Sequence, residues 1–278
     1  MSYFTLKNGE QLYYEENGSG ADTVLMLHGW TSSHDVFKHV VPKVAPYARC
    51  ITYDHRGHGN SKDANRDNVT LDTLADDLNE LICGLELQNF TLLGWSMGAG
   101  VIMNYTARYG CSALRQIVLC DMTPRQANNS GWNLGLYQGN YTDQEDTETT
   151  EENFFEVFRA FSVAAYPKLG RLPKILMNFP LRKILKRCDK KTIVSLANDM
   201  KQMDYRNTVG KINVPLTYFY AVPGSLFSPD LEKWYRSHIT SPYRSVPFEN
   251  STHLLIKEHP KKFAQEILNT LESTVRIK

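Results

Sequence analysis

Thr91-Leu92-Leu93-Gly94-Trp95-Ser96-Met97-Gly98-Ala99-Gly100 is the stretch whose reading decides the fold of this chain. The apolar run from Thr91 predicts a short buried strand, and the pattern over Gly98–Tyr109 predicts a helix. Between them stands Gly94-x-Ser96-x-Gly98. So tight a turn from strand to helix brings together the positions two before and two after the serine, where side chains would clash. The serine is forced into strained geometry and its hydroxyl is pushed out above the sheet edge. The amide of Met97 opens the helix and points at the same space, ready to stabilise an oxyanion. Ser96 is therefore a candidate nucleophile; the alternative is a tight turn with no further role.

Upstream, Tyr3–Leu6 and Gln11–Glu16 flank Asn8-Gly9, a hairpin signal. Thr23–Leu27 is a continuous apolar run, as expected of a strand buried on both faces, and it ends in His28-Gly29-Trp30-Thr31. Gly29 lets the backbone turn sharply, and the Trp30 amide is a candidate second oxyanion donor. An ordinary strand end with a core-facing histidine fits equally. Asp35–Val44 reads as a short helix and Cys50–Tyr53 as another buried strand, running into Asp54-His55-Arg56-Gly57-His58-Gly59-Asn60-Ser61. The His55-x-x-His58 spacing suits a metal, but no third ligand lies nearby, so the segment reads as a structural loop and no metal is expected. Thr70 caps an amphipathic helix over Leu71–Leu85.

Downstream, the apolar run Gln116–Cys120 ends in Asp121-Met122-Thr123-Pro124. Strands alternating with helices in this rhythm predict a mostly parallel sheet covered on both faces. Reactive groups in such sheets gather beyond the carboxyl ends of the strands, where Thr31, Asp54, Ser96 and Asp121 all stand.

The chain's 278 residues suffice for one large α/β domain with an insertion. Its 31 lysines and arginines nearly cancel 30 aspartates and glutamates, so no global field favours nucleic acid or an anionic membrane. No stretch reaches the ~18 apolar residues of a membrane span, and the first residues lack a signal peptide's basic start and apolar core. The five cysteines are scattered without a CxxC pair, which points to reduced, mostly buried thiols in a cytoplasmic protein.

The chain resembles the α/β-hydrolase superfamily. His28-Gly29-Trp30, Asp54-His55-Arg56-Gly57-His58-Gly59-Asn60-Ser61 and Gly94-Trp95-Ser96-Met97-Gly98 match three N-terminal signatures of that family in order and spacing. A fourth match is Ser251-Thr252-His253 followed by Glu258-x-Pro260-x-x-Phe263, similar to the family's histidine loop and final helix. The resemblance implies an α/β-hydrolase core over 1–124 and 209–278 and acyl-transfer chemistry. It implies Ser96 as nucleophile, His253 as its base, and the Trp30 and Met97 amides as the oxyanion hole.

Residues 125–208 interrupt the rhythm, and the resemblance implies a helical cap. Trp132, Leu134, Leu136 and Tyr137 come first, then the acidic run Asp143-Gln144-Glu145-Asp146-Thr147-Glu148. Phe154, Phe155, Val157, Phe158 and Phe161 form an aromatic helix face that either lines an acyl pocket or seats the cap on the core. Trp95, Trp132, Phe154 and Phe158 are the pocket candidates. Leu172, Ile175, Leu176 and Phe179 follow the spacing of an amphipathic helix. The basic cluster Arg182–Arg187 reads as a solvated face balanced by the acidic run rather than as a lipid-binding patch.

The pattern breaks after the strand read at Ile212–Tyr220. Most relatives carry the triad acid in the following loop, but here Gly224 occupies that place within Ala221-Val222-Pro223-Gly224-Ser225-Leu226. A histidine base needs a carboxylate to fix its tautomer and stabilise its cation, and another strand end can supply one. Asp121 is the candidate, on the strand beside the nucleophile's, and it resembles the placement in a subset of the family. Its bland role would be to hold its own turn with Thr123. Asp230, read as a helix cap, and Glu249 are the other carboxylates in view. The reading is a cofactor-free serine hydrolase acting on a small or medium, partly apolar ester, thioester or lactone. A cofactor-independent dioxygenase, which would need oxygen for turnover, and a slow ligand receptor are its rivals on the same fold.

Overall fold

The alternating apolar strands assemble into an eight-stranded sheet in the computed structural model, which describes residues 2–64, 68–142 and 148–273. The strands are β1 (Ser2–Thr5), β2 (Gln11–Asn17), β3 (Thr23–Leu27), β4 (Arg49–Tyr53), β5 (Phe90–Trp95), β6 (Leu114–Cys120), β7 (Leu216–Pro223) and β8 (Tyr243–Ser251). Their order is β1-β2-β4-β3-β5-β6-β7-β8, and only β2 runs against the others. The Asn8-Gly9 hairpin forms as the sequence predicts, with Gly9 alone of the pair at positive φ.

Both faces of the sheet are covered, and the period-two side-chain alternation divides each strand between them. Leu25, Leu27 and Leu92 pack on the side of α2 (Leu71–Gly84) and α3 (Met97–Tyr109). Val24, Met26 and Leu93 pack on the side of α1 (Val41–Val44) and α10 (Pro260–Ser273). Thr70 caps α2 as expected, its hydroxyl accepting from the Thr73 amide. All five cysteines are free thiols, Cys83 exposed and the others buried.

Three elements depart from the sequence reading. The helix predicted over Asp35–Val44 is a 3-10 turn at His34–Phe37 followed by α1, because Pro42 has no N–H to continue one helix through that point. β7 begins at Leu216 rather than Ile212, just beyond Pro215. β8 has no counterpart in the sequence reading, and it contains Pro247, a residue that cannot donate to a ladder. It is tolerated because β8 is the sheet's edge.

Residues 125–208 contribute α4 (Phe154–Ala165), α5 (Lys174–Leu185) and α6 (Lys190–Gln202), and α7 (Arg206–Val209) straddles their end; α8 (Leu231–His238) and α9 (Leu255–Glu258) belong to the C-terminal part. Of the acidic run, Asp143–Thr147 lie outside the described residues. An amphipathic helix ordinarily turns its apolar stripe to the core. In α5 and the residue two before it the stripe faces outward: Leu172, Ile175, Leu176 and Phe179 are 45, 80, 60 and 77 % exposed, and α5 buries Met177 and Leu181 instead.

The loop after β4 is held from within. Arg56, fully buried, donates to both carboxylate oxygens of Asp77 at 2.8 and 2.7 Å and pairs with Glu10. His55 uses both ring nitrogens, Nδ1 accepting from the Tyr53 hydroxyl at 2.9 Å and Nε2 donating to the His28 carbonyl at 3.2 Å. Burial, with the neighbouring His58, pushes His55 down to about 3, and burial takes His28 well below the ordinary histidine range. Both stay neutral in the fold while the unfolded chain protonates them near 6.5. Stability from this pair is therefore present above that pH and lost as pH falls. His55 alone should cost about 2 kcal/mol between about pH 7 and pH 5, and His28 acts in the same direction. At His34 burial is the largest single influence and disfavours the charge, but the hydrogen bond to Asp54 together with the negative charges of Asp54, Asp35 and Glu15 outweighs it and raises the pKa, which offsets part of the loss. Thermal melts across that range should show the melting temperature falling steadily with acid; a flat profile would contradict this account.

Candidate active site

Ser96 sits where the quoted stretch puts it, between β5 and α3, with φ 56° and ψ −125°. The reason for the flanking glycines is measurable. A Cβ on Gly94 would stand 2.5 Å from the Gly98 carbonyl, and one on Gly98 would stand 2.5 Å from the Leu27 carbonyl oxygen. The turn therefore closes only with glycine at both positions. The Ser96 amide donates to the Cys120 carbonyl at 2.9 Å, which ties the turn to the end of β6.

That tie brings the next residue, Asp121, into the same corner. Asp121 is 2 % exposed and has φ 44°, a left-handed conformation that lifts its side chain off the line of β6. One carboxylate oxygen accepts from the Ala221 amide at 3.3 Å; the other lies 2.7 Å from His253 Nδ1. The opposite ring nitrogen of His253, Nε2, lies 2.9 Å from Ser96 Oγ. Since the carboxylate accepts, Nδ1 carries the hydrogen, and Nε2 is left to accept from the serine hydroxyl. Thr123 does not hold Asp121; its hydroxyl donates to the Arg125 carbonyl at 2.9 Å.

The other carboxylates are elsewhere. Asp230 starts α8 but makes no capping bond with its side chain, which instead takes Lys233 Nζ at 2.7 Å on the exposed surface. The capping role read for it is therefore not seen; its own αR backbone turns the carboxylate away from the helix's open amides. Glu249 is exposed on β8. Gly224, with φ 81°, would bring a Cβ within 2.6 Å of the Phe227 carbonyl oxygen, so the usual acid position is closed to any side chain.

His253 is held by its backbone as much as by its ring. Its carbonyl accepts from Trp95 Nε1 at 3.0 Å, and its amide donates to Ser225 Oγ at 2.9 Å. The Ser225 hydroxyl in turn donates to the carbonyl of Ala165, the last residue of α4, at 2.9 Å. Glu258 receives the amide and hydroxyl of Thr252 at 2.8 and 3.0 Å, which pins the loop from the other side. Sequence reasoning missed Ser225; the signal was a hydroxyl one residue beyond the vacant acid position.

Gly29 shows how closely the β3 loop approaches: a Cβ there would be 3.0 Å from Ser96 Cβ and 3.2 Å from the Trp95 ring. The Trp30 backbone follows directly, and its indole donates to the Ile193 carbonyl of α6 at 2.9 Å. Met97 is the first residue of α3, so its amide belongs to the helix's open end. His28 takes the core-facing role, 0 % exposed, with Nε2 accepting from the His55 amide at 3.0 Å.

Above Ser96 lies a cavity of about 450 Å³, lined chiefly by Trp30, Trp95, Phe158, Phe161, Leu169 and Leu181, with His253 and Ser96 on its wall. Two pocket candidates, Trp95 and Phe158, are among the lining. Two are not. Phe154 is 2 % exposed behind it, its ring stacked on Phe158 at 6.1 Å and edge-on to Trp30 at 5.7 Å. Trp132 packs edge-on against Trp234 of α8 at 5.3 Å and donates to the Arg125 carbonyl at 3.0 Å, so its polar edge is satisfied away from the cavity. The aromatic face thus divides: Phe154 seats α4 and Phe158 and Phe161 line the cavity.

A sequence model described as alpha/beta hydrolase fold matches residues 22–260. A non-heme chloroperoxidase of Kitasatospora aureofaciens is 36 % identical over 125 residues, 45 % of either protein. The chain thus spans under half of that relative's length. An AB hydrolase superfamily protein of Bacillus subtilis is 26 % identical over 268 residues, 94 % of this chain and 95 % of its own. Among solved structures, an esterase from Exiguobacterium antarcticum superposes with a TM-score of 0.81 at 23 % identity, over 98 % of this chain and 99 % of that one. With the family model covering most of its length and the sheet order to match, the chain belongs to the alpha/beta hydrolase fold family.

Proposed function

We propose that this protein is a cofactor-free serine hydrolase that cleaves a small to medium, partly apolar carboxylic ester, thioester or lactone through an acyl-enzyme. The observation that carries the reading is the chain of contacts Ser96 Oγ–His253 Nε2 at 2.9 Å and His253 Nδ1–Asp121 Oδ2 at 2.7 Å, on the wall of an apolar cavity. His253 takes the serine proton as Oγ attacks the carbonyl carbon, and Asp121 stabilises the imidazolium. The Trp30 and Met97 amides hold the oxyanion. As the tetrahedral adduct collapses, the bond to the leaving oxygen or sulfur breaks and His253 returns the proton to it. A water then gives its proton to His253, adds to the acyl carbon and releases the acid, and Ser96 recovers its proton.

The 125–208 segment acts as a cap in this reading, with Phe158 and Phe161 setting the acyl pocket. The test is a series of p-nitrophenyl esters of graded acyl length, with intact-mass detection of an acyl adduct on Ser96. Turnover is expected to be indifferent to oxygen, unlike that of a dioxygenase. Phe161→Ala is expected to shift the preferred acyl length. Phe154→Ala should cost about 3–5 kcal/mol of stability and leave the ratios among esters unchanged. No turnover of any ester or lactone, or identical length profiles in both variants, would sink the proposal's catalytic or its pocket half respectively.

A further inference from the structure

The face that α5 leaves exposed stands within a strongly basic stretch of the chain. Residues 166–191 hold nine lysines and arginines against the single acid Asp189, a net charge of +8 in a chain whose total is +1. All nine basic residues are exposed. Some are partly engaged: Arg187 pairs with Asp35 at 2.5 Å, Arg182 lies over the Phe155 ring at 4.4 Å, and Lys190 is 3.8 Å from Glu151. By sequence the segment carries +8 of its own, and its basic side chains are exposed, so it presents positive charge to solvent.

Within this segment, Leu172, Ile175, Leu176 and Phe179 form one apolar stripe. At 80 and 77 % exposure, Ile175 and Phe179 stand clear of the protein rather than lining a groove. A protein groove holds its partner by walls that would lower such exposure, whereas a projecting apolar side chain suits insertion into a fluid acyl layer. Apolar residues on one side of a helix with lysines and arginines beside them are the composition of helices that lie in the headgroup plane. The helix cannot cross a bilayer; among the described residues no helix is long and apolar enough to do so.

We infer that α5 and the turn before it, from Lys168 to Lys186, form a docking surface for an anionic phospholipid bilayer, with Ile175 and Phe179 inserted and the basic residues facing lipid headgroups. The same helix lends Pro180, Leu181 and Ile184 to the cavity, so adsorption brings the cavity to the membrane interface. The inference concerns binding alone and stands apart from the hydrolytic reading.

Vesicle sedimentation of the full chain tests it, with equal parts phosphatidylcholine and phosphatidylglycerol compared with phosphatidylcholine alone. The protein should sediment with the anionic vesicles, and added salt should release it as the charges are screened. The double variant Ile175→Ser/Phe179→Ser should bind at least about tenfold more weakly through lost apolar insertion. Lys174→Glu/Lys183→Glu should also lose at least about tenfold. All four side chains are exposed, and unchanged thermal melts will show that both variants fold. Absence of binding by the parent protein, or binding unchanged in either variant, would overturn the inference. A dimer dispersed by Phe179→Ser without lipid binding would make the face a contact between copies and overturn it equally.

Discussion

Ser96→Ala is expected to fold and melt as the parent protein does while losing ester turnover by at least about 10⁴-fold. Only Oγ is removed. The Gly94–Gly98 contact that shapes the turn and the Ser96 amide bond to Cys120 do not involve it. His253 and the backbone amides remain, so the variant should still bind substrate and retain only a small rate over water. Steady-state turnover of the best ester, with the adduct followed by mass, decides the matter. A folded variant within about tenfold of the parent rate would rule out acyl transfer through this serine.

Asp121→Asn is expected to reduce kcat by about 10⁴ with KM little changed. The cause is an imbalance of donors. The Ala221 amide and His253 Nδ1 both approach the Asp121 side chain, and two carboxylate oxygens accept from both. A carboxamide has a single oxygen, and turning its NH₂ toward the ring favours the tautomer with the hydrogen on Nε2. That tautomer cannot take the Ser96 proton, and the neutral side chain no longer stabilises the imidazolium. Asp230→Asn, at an exposed site, should leave kcat within a few-fold. The reverse ranking of these variants would reassign the acid.

What could be read from the sequence was whatever backbone geometry forces on residue type. Gly94 is required by the Gly98 carbonyl within the turn and Gly98 by the Leu27 carbonyl of the neighbouring strand, so the spacing alone located Ser96. Asp121 could be read because β6 neighbours β5, an adjacency that the strand–helix rhythm implies. Where side-chain environment decides, the sequence was silent. Trp132 and Phe158 are both buried aromatics of the 125–208 segment, and only tertiary packing sends one to α8 and the other to the cavity. The α5 stripe has the spacing of a core face, yet spacing cannot report that the face stands exposed. β8 was not read, and the proline it contains is compatible with a strand only at an edge that the assembled sheet defines.

The Ser225 hydroxyl joins two parts of the molecule that are distant in sequence, taking the His253 amide and giving its hydrogen to the end of α4. α4 carries Phe158 and Phe161 on the cavity wall. Any displacement of α4 would therefore have to break the bond to Ala165 or carry the histidine loop with it. Under the proposed hydrolytic reading, one serine hydroxyl thus ties the position of the cavity wall to that of the proposed base.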